Sequence, residues 1–366
     1  MAHKVAFLIT SLNRGGAESR LVDVLHGLDR DRFDPFLYVA KQQGDLLAEV
    51  GDQRVYTGTS KHLLFNLPRL WNILRRENPD VIWCLQSNAL SFIGRLFAWL
   101  LRTQAVVLSI HGHYGDRTIV DWPNRLLTNW TTHKVVILSK IYHDWLVKEG
   151  IDERLLTVQY NGVDTRRFSP PTDHHACQQS VLGIDSARPV IGMVGNLHPR
   201  KAHEVFIRAA SRVAAQRPDA LFVIVGDGER RPALEVMHHE LGLADHLLLL
   251  GKRTDIPDLM RAFDLFCLTS DYGEGCSNVT LEALASGLPV ITTNFGGASE
   301  LVTDDVGIVV PIQDDAALAD AILHLLDDPT RRQTMGEAAR QRAVEHFSLD
   351  TMIHARESLL SELLAD

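Results

Sequence analysis

Apolar residues fall into two kinds of run along this chain. Short, nearly continuous runs (KVAFLIT, DPFLYVA, DVIWCLQ, AVVLSIHG and KVVILSK, then PVIGMVGN, ALFVIVGDGE, LLLLGK, LFCLTS, LPVITTN and GIVVP) alternate with longer amphipathic stretches of helical period. A strand that is apolar at every position is covered on both faces, so the short runs predict parallel strands and the longer stretches the helices over them. The alternation predicts an α/β chain of doubly wound sheets. At 366 residues the chain exceeds what one core usually serves, and two domains are expected. The segment RRFSPPTDHHACQQS, with adjacent prolines and no periodicity, reads as the linker between the two series. It divides the chain into domains over 1–170 and 171–347. The closing stretch SLDTMIHARESLLSELLAD, residues 348–366, is helical in period and is expected to pack back on the first domain. Doubly wound sheets bind ligands outside the carboxyl ends of their strands, which places the expected site in a cleft between the domains.

Composition narrows the class. The chain is 45% apolar and 23% charged, as ordinary globular proteins are, with no low-complexity segment. The amino terminus MAHKVAFLIT has no small-residue cleavage site, so no signal peptide is expected. The longest apolar stretch, SFIGRLFAWLLRTQAVVL, is interrupted by Arg95 and Arg102 and is too short to span a bilayer. Cys84, Cys177, Cys267 and Cys276 are far apart, which fits a reducing cytoplasm and neither a disulfide framework nor a zinc site. The net charge of −9 argues against nucleic acid as the main partner. It is uneven: residues 1–170 hold 21 Lys and Arg against 17 Asp and Glu, the remainder 16 against 29.

Chemistry concentrates at strand ends. After the first strand, ITSLNRGGAESR puts Gly15 and Gly16 where a helix begins, and glycines let backbone amides approach an anion at the positive helix end. A tight turn is the plain alternative, and the G-x-G-x-x-G dinucleotide fingerprint is absent. In GNLHPRKAHEVFIRAA, Arg200 and Lys201 follow a strand, where a bidentate fork and a point charge suit a diphosphate; a solvated loop is the alternative. In EGCSNVTLE, Asn278 is a good helix cap, so the amides of Cys276, Ser277, Asn278, Val279 and Thr280 would converge on a phosphate. The flanking Glu274 and Glu282 suit sugar and ribose hydroxyls, because a carboxylate accepts two hydroxyl bonds at once.

In that order, and followed by ALASGLPVI, these motifs closely resemble the retaining glycosyltransferases of family four, which have the GT-B fold of two Rossmann-like domains. RGGAE and YNGVDTRRFSP match as well, so the resemblance covers essentially the whole chain, most strongly over residues 189–311. It implies a nucleotide-sugar donor held by the second domain and an acceptor held by the first. By matching position, Arg200 and Lys201 would hold the diphosphate, Glu274 the transferred sugar and Glu282 the ribose, with Gly16 approaching the donor from the first domain. Lys252 and Arg253 fall in the family's base-binding loop, where the arginine stem packs on the base. His111 stands where the family often has a sugar-contacting histidine, and His113 is its rival in the same motif. The family commonly has arginine where this chain has Asn196.

The reaction implied is glycosyl transfer with retention, from a UDP-sugar by family habit, to a hydroxyl of a glycan or lipid-linked acceptor in polysaccharide or glycoconjugate synthesis. A nucleotide-sugar epimerase and a non-catalytic nucleotide-sugar binding protein are the rival readings. No cofactor is implied. No metal is expected either: the only Asp-x-Asp spacing is Asp29-Arg30-Asp31, after the first helix and away from the expected cleft. The expected location is cytoplasmic. KHLLFNLPRLWNILRR, residues 61–76, sets Leu, Phe and Trp among Lys61, Arg69, Arg75 and Arg76, and reads either as a peripheral membrane contact or as a helix covering the sheet.

Overall fold

The computed structural model describes residues 2–13, 15–41, 44–60, 62–86, 89–111, 121–184, 188–272 and 275–365. The chain divides into two compact units, residues 1–162 with 349–366, and residues 163–348.

The first unit runs β1 (His3–Ile9), α1 (Gly16–Gly27), β2 (Phe33–Val39), β3 (Arg54–Thr57), α2 (Leu63–Glu77), β4 (Val81–Leu85), α3 (Ala89–Leu101), β5 (Ala105–Ile110), α4 (Trp122–Thr131), β6 (Lys134–Ile137), α5 (Lys140–Lys148) and β7 (Leu156–Val158). Its strands form a parallel sheet in the order β3-β2-β1-β4-β5-β6-β7. Residues alternate between two buried faces: Val5, Phe7 and Ile9 lie in one core, Ala6 and Leu8 in the other. This is why these runs are apolar at nearly every position.

The second unit runs α6 (His174–Leu182), β8 (Val190–Val194), α7 (His203–Ala214), β9 (Leu221–Val225), α8 (Arg231–Glu240), β10 (Leu247–Leu249), α9 (Ile256–Arg261), β11 (Leu265–Leu268), α10 (Asn278–Ala285), β12 (Val290–Thr293), α11 (Ala298–Leu301), β13 (Gly307–Val310), α12 (Asp315–Asp327) and α13 (Pro329–His346). Its parallel sheet has the order β10-β9-β8-β11-β12-β13. The last helix, α14 (Leu349–Ala365), belongs to the first unit, where Met352, Leu359 and Leu360 enter the core beside α1. Each sheet is wound outward in one direction and then restarted on the other side of its first strand. The switch points lie between β1 and β4 and between β8 and β11.

Three local features differ from the sequence reading. The linker stretch holds α6, because Asp173 accepts a hydrogen bond from the Ala176 amide and caps a helix that the neighbouring prolines conceal. The strands β3 and β7 were not anticipated. Both are short edge strands whose residues are only partly covered, so neither shows a continuous apolar run.

Candidate active site

In the second unit the described candidate residues of the basic turn and of the α10 start lie at the switch point. Beyond β8, Pro199–Lys201 form a short 3-10 turn that delivers Arg200 and Lys201 to the carboxyl edge. Hydrogen bonds from the neighbouring β11 loop pin this turn. Thr269 Oγ1 donates to the carbonyls of Lys201 (2.8 Å) and Ala202 (3.0 Å), and the Asp271 amide donates to the Arg200 carbonyl (2.9 Å). Ala202 then adopts the left-handed conformation, φ 45° and ψ 47°, which turns the chain into α7. That conformation crowds a Cβ against the backbone, so the bend is strained for any residue but glycine. The loops also approach closely: a Cβ on Gly226, at φ +142°, would lie 1.9 Å from the Gly195 carbonyl oxygen.

Lys201 is buried, its stem 3.5 Å from the position a Gly195 Cβ would take. Behind it, His203 is 1% exposed, and neither ring nitrogen has a hydrogen-bond partner among the described residues. Burial, with the Lys201 charge beside it, pushes the His203 pKa down to about 4 and keeps the ring neutral. Burial raises the Asp271 carboxyl above its ordinary value while the Gln313 amide, donating to it, pulls the other way.

Across the switch point, α10 begins at Ser277. Its hydroxyl makes no capping bond, and Oγ is buried with no hydrogen-bond partner among the described residues. It lines a cavity of ≈ 10 Å³ with Ser270, Gly275, Thr280 and Thr293. The cap is therefore Ser277 and not Asn278, which is the first helical residue, with Val279 and Thr280 next. Both residue types cap well, and adjacent candidates cannot be ordered by type alone. Cys276 is buried just before the cap, and Glu282 lies one turn into the helix. Asn196 is exposed at the end of β8. Lys252 follows β10, and Arg253 donates from Nε to Asp255 (2.8 Å), which orients its guanidinium along the loop. Glu274 and His113 lie outside the described residues.

In the first unit, Gly15 caps α1 without a side-chain bond and Gly16 opens it. A Cβ on Gly15 would lie 2.5 Å from a Glu18 carboxylate oxygen. Burial lifts the Glu18 carboxyl above its usual range, against hydrogen bonds from its own amide and from Gln86 (3.4 Å). His111 directly follows β5, and its Nδ1 is buried with no hydrogen-bond partner among the described residues. It lines a cavity of ≈ 20 Å³ with Arg20, Trp83, Ser109, Asn161 and Arg356. Arg356, from α14, sits 5.9 Å from the Trp83 ring centre. Burial first, then the Arg356 charge, holds His111 neutral with a pKa of about 3. Asp29 and Asp31 are exposed in the turn before β2, where the Asp31 amide donates to Asp29. Thr269, Asp271, His203 and Glu18 were not singled out from sequence. The signal for Thr269 was a hydroxyl directly after the apolar run LFCL, and the others had none.

Of the stretch 61–76, the described part forms α2, which is mostly a sheet cover. Leu70, Ile73 and Leu74 are buried, Trp71 packs on Phe97 of α3, and Leu64 and Phe65 remain exposed. Among the described residues no helix is long and apolar enough to cross a membrane.

Two family models match the chain, "Glycosyltransferase Family 4" over residues 14–167 and "Glycosyl transferases group 1" over 177–342. A GDP-mannose-dependent alpha-(1-6)-phosphatidylinositol monomannoside mannosyltransferase of Mycolicibacterium smegmatis is 36% identical over 308 residues, covering 81% of this chain and 79% of that protein. A UDP-Gal:alpha-D-GlcNAc-diphosphoundecaprenol alpha-1,3-galactosyltransferase of Escherichia coli is 27% identical over 362 residues, covering 91% and 93%. Among solved structures, Anabaena Alr3699/HepE in complex with UDP-glucose superposes with a TM-score of 0.85 at 25% identity, over 98% of this chain and 99% of that one. The paired windings, the basic turn and helix start at the second switch point, and these matches agree: the chain belongs to the family 4 glycosyltransferases, has the GT-B fold and is a glycosyltransferase of glycan or lipid-linked biosynthesis.

Proposed function

We propose that the protein transfers a glycosyl group from a uridine diphosphate sugar to a hydroxyl of a glycan or lipid-linked acceptor, with retention of configuration and without a divalent metal. The observation that carries this reading is the pinned Arg200-Lys201 turn after β8 and, after the neighbouring β11, a helix start whose Ser277 hydroxyl is buried with no hydrogen-bond partner among the described residues. Cations and helix-end donors fixed in advance are what a departing diphosphate requires, because they need not reorganise as its charge develops. In this reading Arg200, Lys201 and the amides from Cys276 to Thr280 hold the diphosphate. Glu282 takes the ribose, and Lys252 and Arg253 flank the base. Glu274 and the neutral His111 contact the transferred sugar, and Gly15 and Gly16 give the donor a side-chain-free approach.

The bond from the sugar C1 to the diphosphate oxygen breaks, and the acceptor oxygen bonds C1 on the same face. Its proton passes to the departing diphosphate. Catalysis is then positioning and leaving-group stabilisation.

The UDP-glucose complex and the UDP-Gal relative support uridine, and the GDP-mannose relative makes guanosine the competing base. Titration with both nucleoside diphosphates decides it: UDP is expected to raise the melting temperature and GDP to leave it unchanged. The anomeric coupling of the product tests retention, and an inverted product refutes it. Excess chelator should leave the rate unchanged; loss restored by magnesium or manganese would refute metal independence. Donor incubated without acceptor should not epimerise. Contact with the cytoplasmic face of a membrane through residues 61–76 rests on Leu64 and Phe65, the exposed apolar residues of that helix.

A further inference from the structure

A transfer from a nucleotide sugar to a hydroxyl has two substrates of different charge, and the two carboxyl edges differ in charge as well. The second unit's edge supplies Arg200 and Lys201, whereas the first unit's edge presents Glu18 and Gln86 at the switch point between β1 and β4.

A helix start such as that of α1 would by itself suit an anion. Here that place is taken. Glu18 is the third residue of α1, the position from which a glutamate folds back over its own cap, and one of its carboxylate oxygens would lie 2.5 Å from a Cβ on Gly15. The glycine thus makes room for a carboxylate, and a phosphate approaching α1 meets a like charge. A glutamate that only caps a helix needs nothing further, yet Gln86 is brought to it from the end of β4. Gln86 has φ 67°, a left-handed backbone that is strained for a residue with a Cβ. Two bonds hold it there: its backbone amide donates to the Ser109 carbonyl (2.8 Å), and the Ser91 hydroxyl donates to its carbonyl. Its side-chain amide then reaches Glu18 at 3.4 Å, too long for a strong bond, which leaves bonding capacity for a third group. Both residues are half-buried.

Position ties the pair to the reaction. β4 lies between β1 and β5, and neighbouring strands are about 4.8 Å apart. The pair after β1 and β4 therefore stands one to two strand spacings from His111, which follows β5, and Ala17 of α1 lines the same cavity as Ser109 and His111. A carboxylate accepts two hydroxyl bonds at once, and a side-chain amide both donates and accepts. Neighbouring hydroxyls on a sugar ring match that pair, and a phosphate does not.

Resting on the transfer reaction proposed above, we propose that Glu18 and Gln86 bind the acceptor, and that the acceptor is a neutral sugar presenting neighbouring hydroxyls to this edge.

The test uses the full chain with UDP-glucose and UDP-galactose as donors. The acceptors are the octyl glycosides of glucose, galactose, mannose and N-acetylglucosamine, each compared with its 6-phosphate. Transfer is expected to at least one neutral glycoside, with its 6-phosphate at least about tenfold less efficient. For that glycoside Glu18→Gln should raise KM about tenfold or more and Gln86→Leu about threefold, each with kcat within about twofold of the unaltered protein. Calorimetric binding of UDP should be the same in both variants. Circular dichroism melts confirm that each variant is folded, and the comparison with the 6-phosphates needs no variant. A glutamate that only caps α1 would change the melting temperature and not KM, so an unmoved KM in Glu18→Gln overturns the proposal. Weakened UDP binding in that variant overturns it too, since the carboxylate would then serve the donor. Preference for the 6-phosphates, or UDP binding without transfer to any neutral glycoside, overturns the acceptor assignment and leaves the donor site standing. Failure of the unaltered protein to bind UDP would overturn the donor reading, and this assignment with it.

Discussion

The carboxyl edges of the two sheets share a winding and differ in how their loops are held. At the second unit's switch point, threonine hydroxyls bond the adjacent backbone: Thr269 to Lys201 and Ala202, Thr292 to Leu268, and Thr293 to Ser270. A strained residue, Ala202, is held in place there. At the first unit's switch point, among the described residues, Gln86 reaches Glu18 at 3.4 Å, the Ser91 hydroxyl donates to the Gln86 carbonyl, and the α1 cap is a glycine without a side-chain bond. A rigid edge suits the fixed geometry of a diphosphate. In the reading proposed above, the glycine-capped edge takes the acceptor, a partner whose form varies.

The largest expected consequence is in rate. Lys201→Ala should lower turnover about a hundredfold to a thousandfold, the cost of one preorganised donor to a developing charge, with the melting temperature nearly unchanged. A small rate loss would remove the pinned turn from the chemistry. Next comes pH. Both His203 and His111 have folded pKa values below the ordinary histidine value, so the unfolded chain binds more protons between those values. Their contribution to stability is complete above about pH 6.5 and is lost as pH falls toward about 4 for His203 and about 3 for His111. The depression is larger for His111, so His111→Phe should flatten the acid limb of a melting-temperature profile more than His203→Phe. The reverse order would show that the His203 site costs more to protonate than the His111 site.

Smaller effects separate the two edges further. Thr269→Val should cost about 1 kcal/mol of stability and lower turnover with it, while Gln86→Leu costs less, since a 3.4 Å contact is weak. Equal losses in chemical denaturation would break the contrast. Ala202→Gly should stabilise by up to about 1 kcal/mol, the relief of a left-handed backbone less the entropy that glycine adds to the unfolded chain. A destabilised Ala202→Gly would show that the bend stores no strain.

Much of this was legible in the sequence because burial on both faces writes itself as unbroken apolar runs, as at VIGMV and LFVIV. The edge strands RVYT and LTV left no such mark, because one side of each has no neighbour. The basic turn was visible as residue types after a strand. Its rigidity was not, since that depends on a threonine some seventy positions away in the chain whose hydroxyl finds two carbonyls. His111 could be placed at a strand end, but its neutrality comes from burial and from Arg356 on α14, a pairing no local pattern records. On α4, Trp122, Leu126 and Trp130 have the spacing of a buried face, and only the fold turns them outward.

The central claim is that the second unit's pinned turn holds the donor diphosphate. Calorimetric titration of UDP into the unaltered protein, Lys201→Ala and His111→Ala tests it most directly. The account predicts tight binding to the first, at least about tenfold weaker binding to Lys201→Ala from the loss of a charge-assisted bond, and unchanged binding to His111→Ala. Undiminished binding to Lys201→Ala, together with its loss in His111→Ala, would contradict it.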